Sequence, residues 1–216
     1  MKVSLPTAEP AVLVTAVGAA EGSRAAAAAL ACAGADVDRA TLFVDVGGRA
    51  PRPTLLASAA AQRLEERLVA HLPAARAAAR GHVCHLAVDD DPDGLEIALA
   101  ATAVARDELR VIHVLPSATQ ALLGSRLGEE LSGVLLRADV SADRPLLALA
   151  AAGFLSRGLG VAVLKRQLPW IVERRALFGA LPPDAASGLP KSILRKLLSE
   201  ACYGGSCDQR ADATTP

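Results

Sequence analysis

With 216 residues and 52% hydrophobic content, the chain can bury a sizeable core, most simply as one domain. Lys plus Arg and Asp plus Glu cancel at 23 each, which argues against an extended phosphate-backbone footprint. Aromatic residues make up only 2%, leaving few stacking platforms, so nucleic acid is not an expected partner.

Near the N-terminus, MKVSLPTAEPAVLVTAV carries Pro6 and Pro10 where a secretory signal needs an unbroken apolar helix. The alanine-rich stretches further on are cut by charged residues well short of the roughly 20 apolar residues of a membrane span. These features lead us to expect a cytoplasmic protein.

Along the chain, apolar β-type runs alternate with alanine- and leucine-rich helical patterns. The runs cover residues 11–17, 40–46, 82–88, 109–115, 133–139 and 160–166. The helical patterns cover residues 23–33, 54–79, 94–106, 118–131 and 144–157. Strands that are apolar almost throughout indicate burial on both faces, as in a parallel sheet covered by helices. The alternation therefore predicts a doubly wound, three-layer α/β domain with a mainly parallel sheet. Its opening, the run at 11–17 followed by the helix at 23–33, resembles those of P-loop NTPase-like and Rossmann-like folds.

After Lys165 the pattern changes. LPWIVERRALFGAL reads as one more helix, which puts the domain at residues 1–181. A linker and a short amphipathic helix fill residues 182–201, and residues 202–216 read as a disordered tail. In KSILRKLLSE, Ile193, Leu194, Leu197 and Leu198 share one face, with Lys191, Arg195 and Lys196 towards the other. Packing on the domain or on a partner is the preferred use of residues 191–200. Peripheral membrane contact is the second, since so short an apolar face gives only marginal bilayer affinity.

Four cysteines make no disulfide framework in a chain of this size. Cys32 falls in the first alanine helix and Cys84 in a strand, where small buried thiols are common. Cys202 and Cys207 fall in the tail. A zinc site from His82, Cys84, His85 and the tail cysteines is disfavoured, because C-x4-C is an unusual spacing and adjacent strand residues point to opposite faces.

The most informative stretch is VLVTAVGAAEGSRAAAAALACAG, in which an apolar strand meets a glycine-containing loop and then a small-residue helix. In such a sheet this turn sets backbone N–H groups and a positive helix end beside a ligand's phosphates. Gly18 and Gly22 permit close approach and Ser23 is placed to cap the helix; Arg24 reads first as a solvated first-turn arginine and second as a contact for an anion. Asp45 closes the second strand, at the sheet edge where such folds bind ligands; its other reading is a cap for GGRAPRP. The acidic DDDPDG at Asp89 to Gly94 reads as a strand-to-helix turn rather than a metal loop. His113, inside an apolar strand, reads as a hydrogen-bonded core histidine rather than a base. Spacing alone brings no Ser-His-Asp or Cys-His group together.

Two families share this opening. VTAVGAAEGSRAAAAALACAGADV resembles the T-G-x-x-x-G-x-G loop of short-chain dehydrogenases, with Gly18 and Gly22 as its first two glycines. Arg24 stands where the third belongs, and the family's Tyr-x-x-x-Lys pair is missing, since Tyr203 is the sole tyrosine and has no lysine four residues on. That resemblance leaves at most dinucleotide binding, with Asp45 on a ribose.

The second resemblance, to the ParA/MinD group of P-loop ATPases with the deviant loop G-K-G-G-V-G-K-[ST], extends over roughly residues 12–169. ATLFVDVGG looks like that group's second strand, ending in Asp45. LRVIHVLPSA looks like its Walker B strand. GVLLRADVSADRPLLALAAAGFLSRGLGVAVLKRQLP looks like the strand, helix and strand that lead to its Asn-Arg base motif. The chemistry departs from the family. Ser23 lies at the phosphate lysine, Arg24 replaces the magnesium-binding hydroxyl, and both loop lysines are absent. His113 or Val114 takes the Walker B carboxylate's place, and Lys165-Arg166 replaces Asn-Arg. Phosphoryl transfer needs charge stabilisation by metal and cation, and both are gone.

The resemblance thus implies a non-catalytic, degenerate ParA/MinD-like protein with no catalytic or metal residues. It would act as a scaffold or regulator, as a homodimer or with a partner ATPase. No resident cofactor is expected, and any nucleotide would bind weakly at Gly18, Gly22, Ser23, Arg24 and Asp45. The rival expectation is a nucleotide- or dinucleotide-binding enzyme or sensor built on the Gly18/Gly22 loop.

Overall fold

The computed structural model describes residues 9–17, 22–49, 56–138 and 144–165. Thirteen elements follow one another among them: β1 (Ala11–Ala16), α1 (Ser23–Gly34), β2 (Thr41–Val46), α2 (Ala59–His71), β3 (Arg76–Arg80), β4 (Val83–Val88), α3 (Pro92–Val104), β5 (Leu109–His113), α4 (Pro116–Leu123), α5 (Arg126–Glu130), β6 (Leu131–Ala138), α6 (Arg144–Leu155) and β7 (Gly160–Lys165). Seven strands form one sheet in the order β3-β4-β2-β5-β1-β6-β7. Every pairing is parallel except β3 with β4. The chain is therefore an α/β protein with a mostly parallel sheet flanked by helices.

Apolar alternation sorts the strands into two cores. Val12 and Val14 of β1 join Ala27, Leu30 and Ala31 of α1, with Phe43 and Val111. Leu13 joins Leu42 and Val44, Leu64 and Leu68 of α2, and Ala98 and Ala101 of α3. All of these are buried, and each fully buried Leu or Val side chain contributes about 1.5–3 kcal/mol. Alanine on the inner side of α1 lets that helix lie close to the strands. At the starts of α2 and α3 the cap is legible in the residues. Ser58 Oγ accepts from Ala61 N in α2, and Asp91 accepts from Gly94 N at 2.7 Å, with Pro92 in the first turn of α3.

Two of the expected helices are corrected by the structure. The pattern over residues 54–79 yields α2 only to His71; Arg76–Arg80 is a strand, β3, paired antiparallel to β4. Alanine favours helix intrinsically, but Gly81 at φ +57° and His82 form a two-residue turn between Arg80 and Val83, and the ladder with β4 overrides the propensity. The pattern over 118–131 splits into α4 and α5 around Gly124 and Ser125, and its last residue opens β6. The linker, the helix at 191–200, Cys202, Cys207 and the tail lie outside the described residues. Among the described residues, no helix is long and apolar enough to cross a membrane.

Strand order positions the site. β5 lies between β1 and β2, so α1 has to carry the chain across β5 on its way to β2. In the 3-2-1-4-5-6 order of dinucleotide-binding folds the first two strands are neighbours. Here their C-terminal ends are separated by the end of β5, which brings His113 to the start of α1.

Candidate functional site

Three elements deliver the site: the first turn of α1 supplies Ser23 and Arg24, β2 supplies Asp45, and β5 supplies His113. Asp45 and His113 are register partners on adjacent parallel strands. Gly22 precedes α1 at φ +83°, a left-handed conformation suited to glycine, and offers no side-chain cap. Ser23, expected as the cap, is instead the first helical residue with its hydroxyl on His113. The first helical bond runs from Ala26 N to Gly22 O. The N–H groups of Ser23, Arg24 and Ala25 therefore precede the helical ladder at the positive end of α1.

The side chains form a connected network, buried except at Arg24. Arg24 Nε donates to Asp45 Oδ1 at 2.9 Å, and Arg24 Nη2 donates to Gly47 O at 3.0 Å. His113 Nδ1 lies 2.9 Å from the same Asp45 Oδ1, and His113 Nε2 lies 3.0 Å from Ser23 Oγ. Asp45 is 2% exposed, His113 1% and Ser23 8%. His85 stacks on Phe43 with ring centroids 4.8 Å apart. Its Nε2 is 3.8 Å from Asp45 Oδ2, too far for a direct hydrogen bond.

Burial alone would raise the Asp45 carboxyl's pKa. The His113 hydrogen bond, the nearby His85 ring and the Arg24 charge outweigh it and hold the group well below the usual carboxylate range. An ionised carboxylate only accepts, so His113 Nδ1 carries the proton. In the neutral ring Nε2 is then the acceptor, and Ser23 donates its hydroxyl hydrogen to it. Gly47, at φ +72°, and Gly48 turn the chain around the carboxylate. A Cβ at Gly48 would overlap the Asp45 carboxyl group, so only glycine lets the loop lie this close.

Of the residues singled out in the sequence, Ser23, Arg24 and Asp45 converge, with Gly22 beside them. Gly18 lies outside the described residues. Arg24 is 44% exposed along its side chain but ion-paired, rather than freely solvated. Asp45 faces α1 and β5, and no described residue of GGRAPRP is capped by its carboxylate. His113 was legible as a hydrogen-bonded core residue; its partners were not, because its meeting with Asp45 depends on β5 entering between β1 and β2. DDDPDG is a strand-to-helix turn in which Asp91 caps α3. Cys84 and His85 serve opposite faces of β4, Cys84 in the core beneath α2 and His85 against Phe43. Burial, with Glu65 and Glu108 nearby, pushes the Cys84 thiol up to about 12.

An apolar groove of about 480 Å3 opens at the same end of the sheet, lined by Val17, Leu123, Leu136, Leu146, Leu149 and Phe154 among others. Leu149 is 72% exposed and Leu146 51%. From Pro145 to Leu155, α6 carries no charged residue.

The chain matches no protein-family model and no curated protein.

Proposed function

We propose that the chain is a ParA/MinD-like P-loop protein, doubly wound and three-layered, which has lost phosphoryl transfer and serves as a scaffold or regulator. The observation that carries this reading is the Arg24–Asp45 ion pair. Arg24 occupies the position of the magnesium-binding hydroxyl and stands in the first turn of α1. Its charge is spent on an internal carboxylate, and Ser23, at the position of the phosphate lysine, is spent on His113. An incoming phosphate would have to displace Asp45 before it gained an arginine.

Further support comes from β5. It lies directly beside β1, as a Walker B strand must if its end is to reach a metal near the loop, yet it ends in an imidazole where a carboxylate would hold magnesium. The reading includes a cytoplasmic location and no resident cofactor or metal. Assembly with a second copy of the chain is supported by the uncharged run from Pro145 to Leu155 of α6 with its exposed leucines, and by a formal net charge of zero, which sets no long-range repulsion between copies.

The rival reading, a nucleotide or dinucleotide sensor, is separated by a thermal-shift panel with ATP, GTP, NAD and NADP. A ligand present at 100 times its dissociation constant adds about 2.7 kcal/mol of stability. We expect no upward shift with any of the four at millimolar concentration. A clear shift with one of them would replace the scaffold reading with the sensor.

A further inference from the structure

We propose that Ser23, His113 and Asp45 form a nucleophilic relay, giving the chain an acyl-transfer activity towards activated esters or thioesters. This goes beyond the scaffold reading and does not rest on it, since it requires neither a nucleotide nor a metal. The juxtaposition has the connectivity of a serine nucleophile with its base and orienting acid. The hydroxyl faces Nε2 at 3.0 Å, and the carboxylate faces Nδ1 at 2.9 Å. Such groups are recognised by geometry and role rather than by order in the sequence.

Three further features fit the chemistry. Asp45 is buried and ionised, so it holds His113 in the tautomer that leaves Nε2 free to take a proton from Ser23. Ser23 opens α1 directly after Gly22, which stands at φ +83°. The Arg24 and Ala25 N–H groups, ahead of the helical ladder and at the positive helix end, supply donors for an oxyanion forming beside Ser23.

The step balances without a co-reactant other than water. Ser23 Oγ attacks the acyl carbonyl, and its proton passes to His113 Nε2. The carbon–oxygen or carbon–sulfur bond to the leaving group breaks, and that alcohol or thiol departs with the proton. Water then attacks the acyl-serine, gives one proton to His113 and releases the acid, after which the proton returns to Ser23. Asp45 is a positioning residue throughout.

The test uses the full chain and a fluorophosphonate probe, in which a Ser23 Oγ–P bond forms as the P–F bond breaks. We expect stoichiometric labelling of the folded protein, mapped by peptide mass spectrometry to Ser23. Ser23→Ala should abolish it. His113→Ala should slow it by on the order of 100-fold or more, the usual contribution of a positioned base, with partial rescue by added imidazole. Asp45→Asn should lower the limiting labelling rate while leaving the probe concentration for half-maximal rate unchanged. Mapping on the unmodified chain decides the matter even where a variant fails to fold. Absence of Ser23 adduct in the folded protein, or labelling that persists only after denaturation, would overturn the proposal.

Discussion

Asp45 and His113 stand opposite each other at the C-terminal ends of two neighbouring parallel strands, joined at 2.9 Å, and the same carboxylate oxygen receives Arg24 from the helix above. One buried oxygen thus ties together β2, β5 and α1. The start of that helix is anchored from within, by groups that in a phosphate-binding loop would face a ligand.

Removing the carboxylate should therefore loosen α1. Asp45→Ala leaves His113 Nδ1–H buried without an acceptor, which costs about 1–3 kcal/mol. The lost Arg24 pair adds little, since its guanidinium is partly exposed and screened. We expect a drop of about 2–3 kcal/mol in urea unfolding, with Arg24→Ala alone costing no more than about 1 kcal/mol.

The same carboxylate sets a pH dependence. Its folded-state pKa lies below its unfolded value of 3.8, so the stability it confers is complete well above pH 3.8 and is lost as the pH falls towards the folded value. Urea midpoints of the unmodified chain and Asp45→Asn should differ at pH 7 and draw together as the solution is acidified below about pH 4. A gap that stays constant down to pH 2 would mean that Asp45 is not held as an anion.

How much of this was legible from the residues depends on whether a feature is local. The apolar runs around Val12, Val44, Leu86 and Val111 predicted their strands because burial on both faces leaves a continuous hydrophobic signal. Arg76–Arg80 escaped because alanine carries no β signal and only pairing with β4 makes it a strand. Ser23, Arg24 and Asp45 were found because the strand–loop–helix unit around them is local. Their partnership with His113 was not, since it arises from strand order. A hint existed: FVDV and VIHV each set one polar residue at the end of an apolar strand.

Gly48 offers a probe of the loop that removes no polar side chain. Gly48→Ala should force the chain away from the Asp45 carboxyl and destabilise by about 1–3 kcal/mol, the usual cost of overpacking. Amide exchange of α1 should quicken in this variant if the loop and the ion pair are coupled.

Cys84 should be chemically silent in the folded state. Its thiol is pushed up to about 12 and buried, so the thiolate is scarce and shielded at neutral pH. Iodoacetamide at pH 8, read by peptide mapping, should leave Cys84 unmodified until denaturant is added.

Self-association through α6 is read by light scattering on the eluting protein. Leu149→Asp should shift a dimer to monomer while leaving the fold of each copy intact by circular dichroism, because the side chain it replaces is exposed. A monomer in both proteins would remove the second copy as the occupant of that face, and retention of the dimer in the variant would place the interface elsewhere.

The central claim, that the phosphoryl-transfer machinery is gone, is tested most directly by steady-state phosphate release from ATP and magnesium with the purified full chain. The account predicts no release above the protein-free background, and no gain when Asp45 is replaced by Asn to free Arg24. Magnesium-dependent turnover that rises in proportion to protein and saturates with ATP would contradict it.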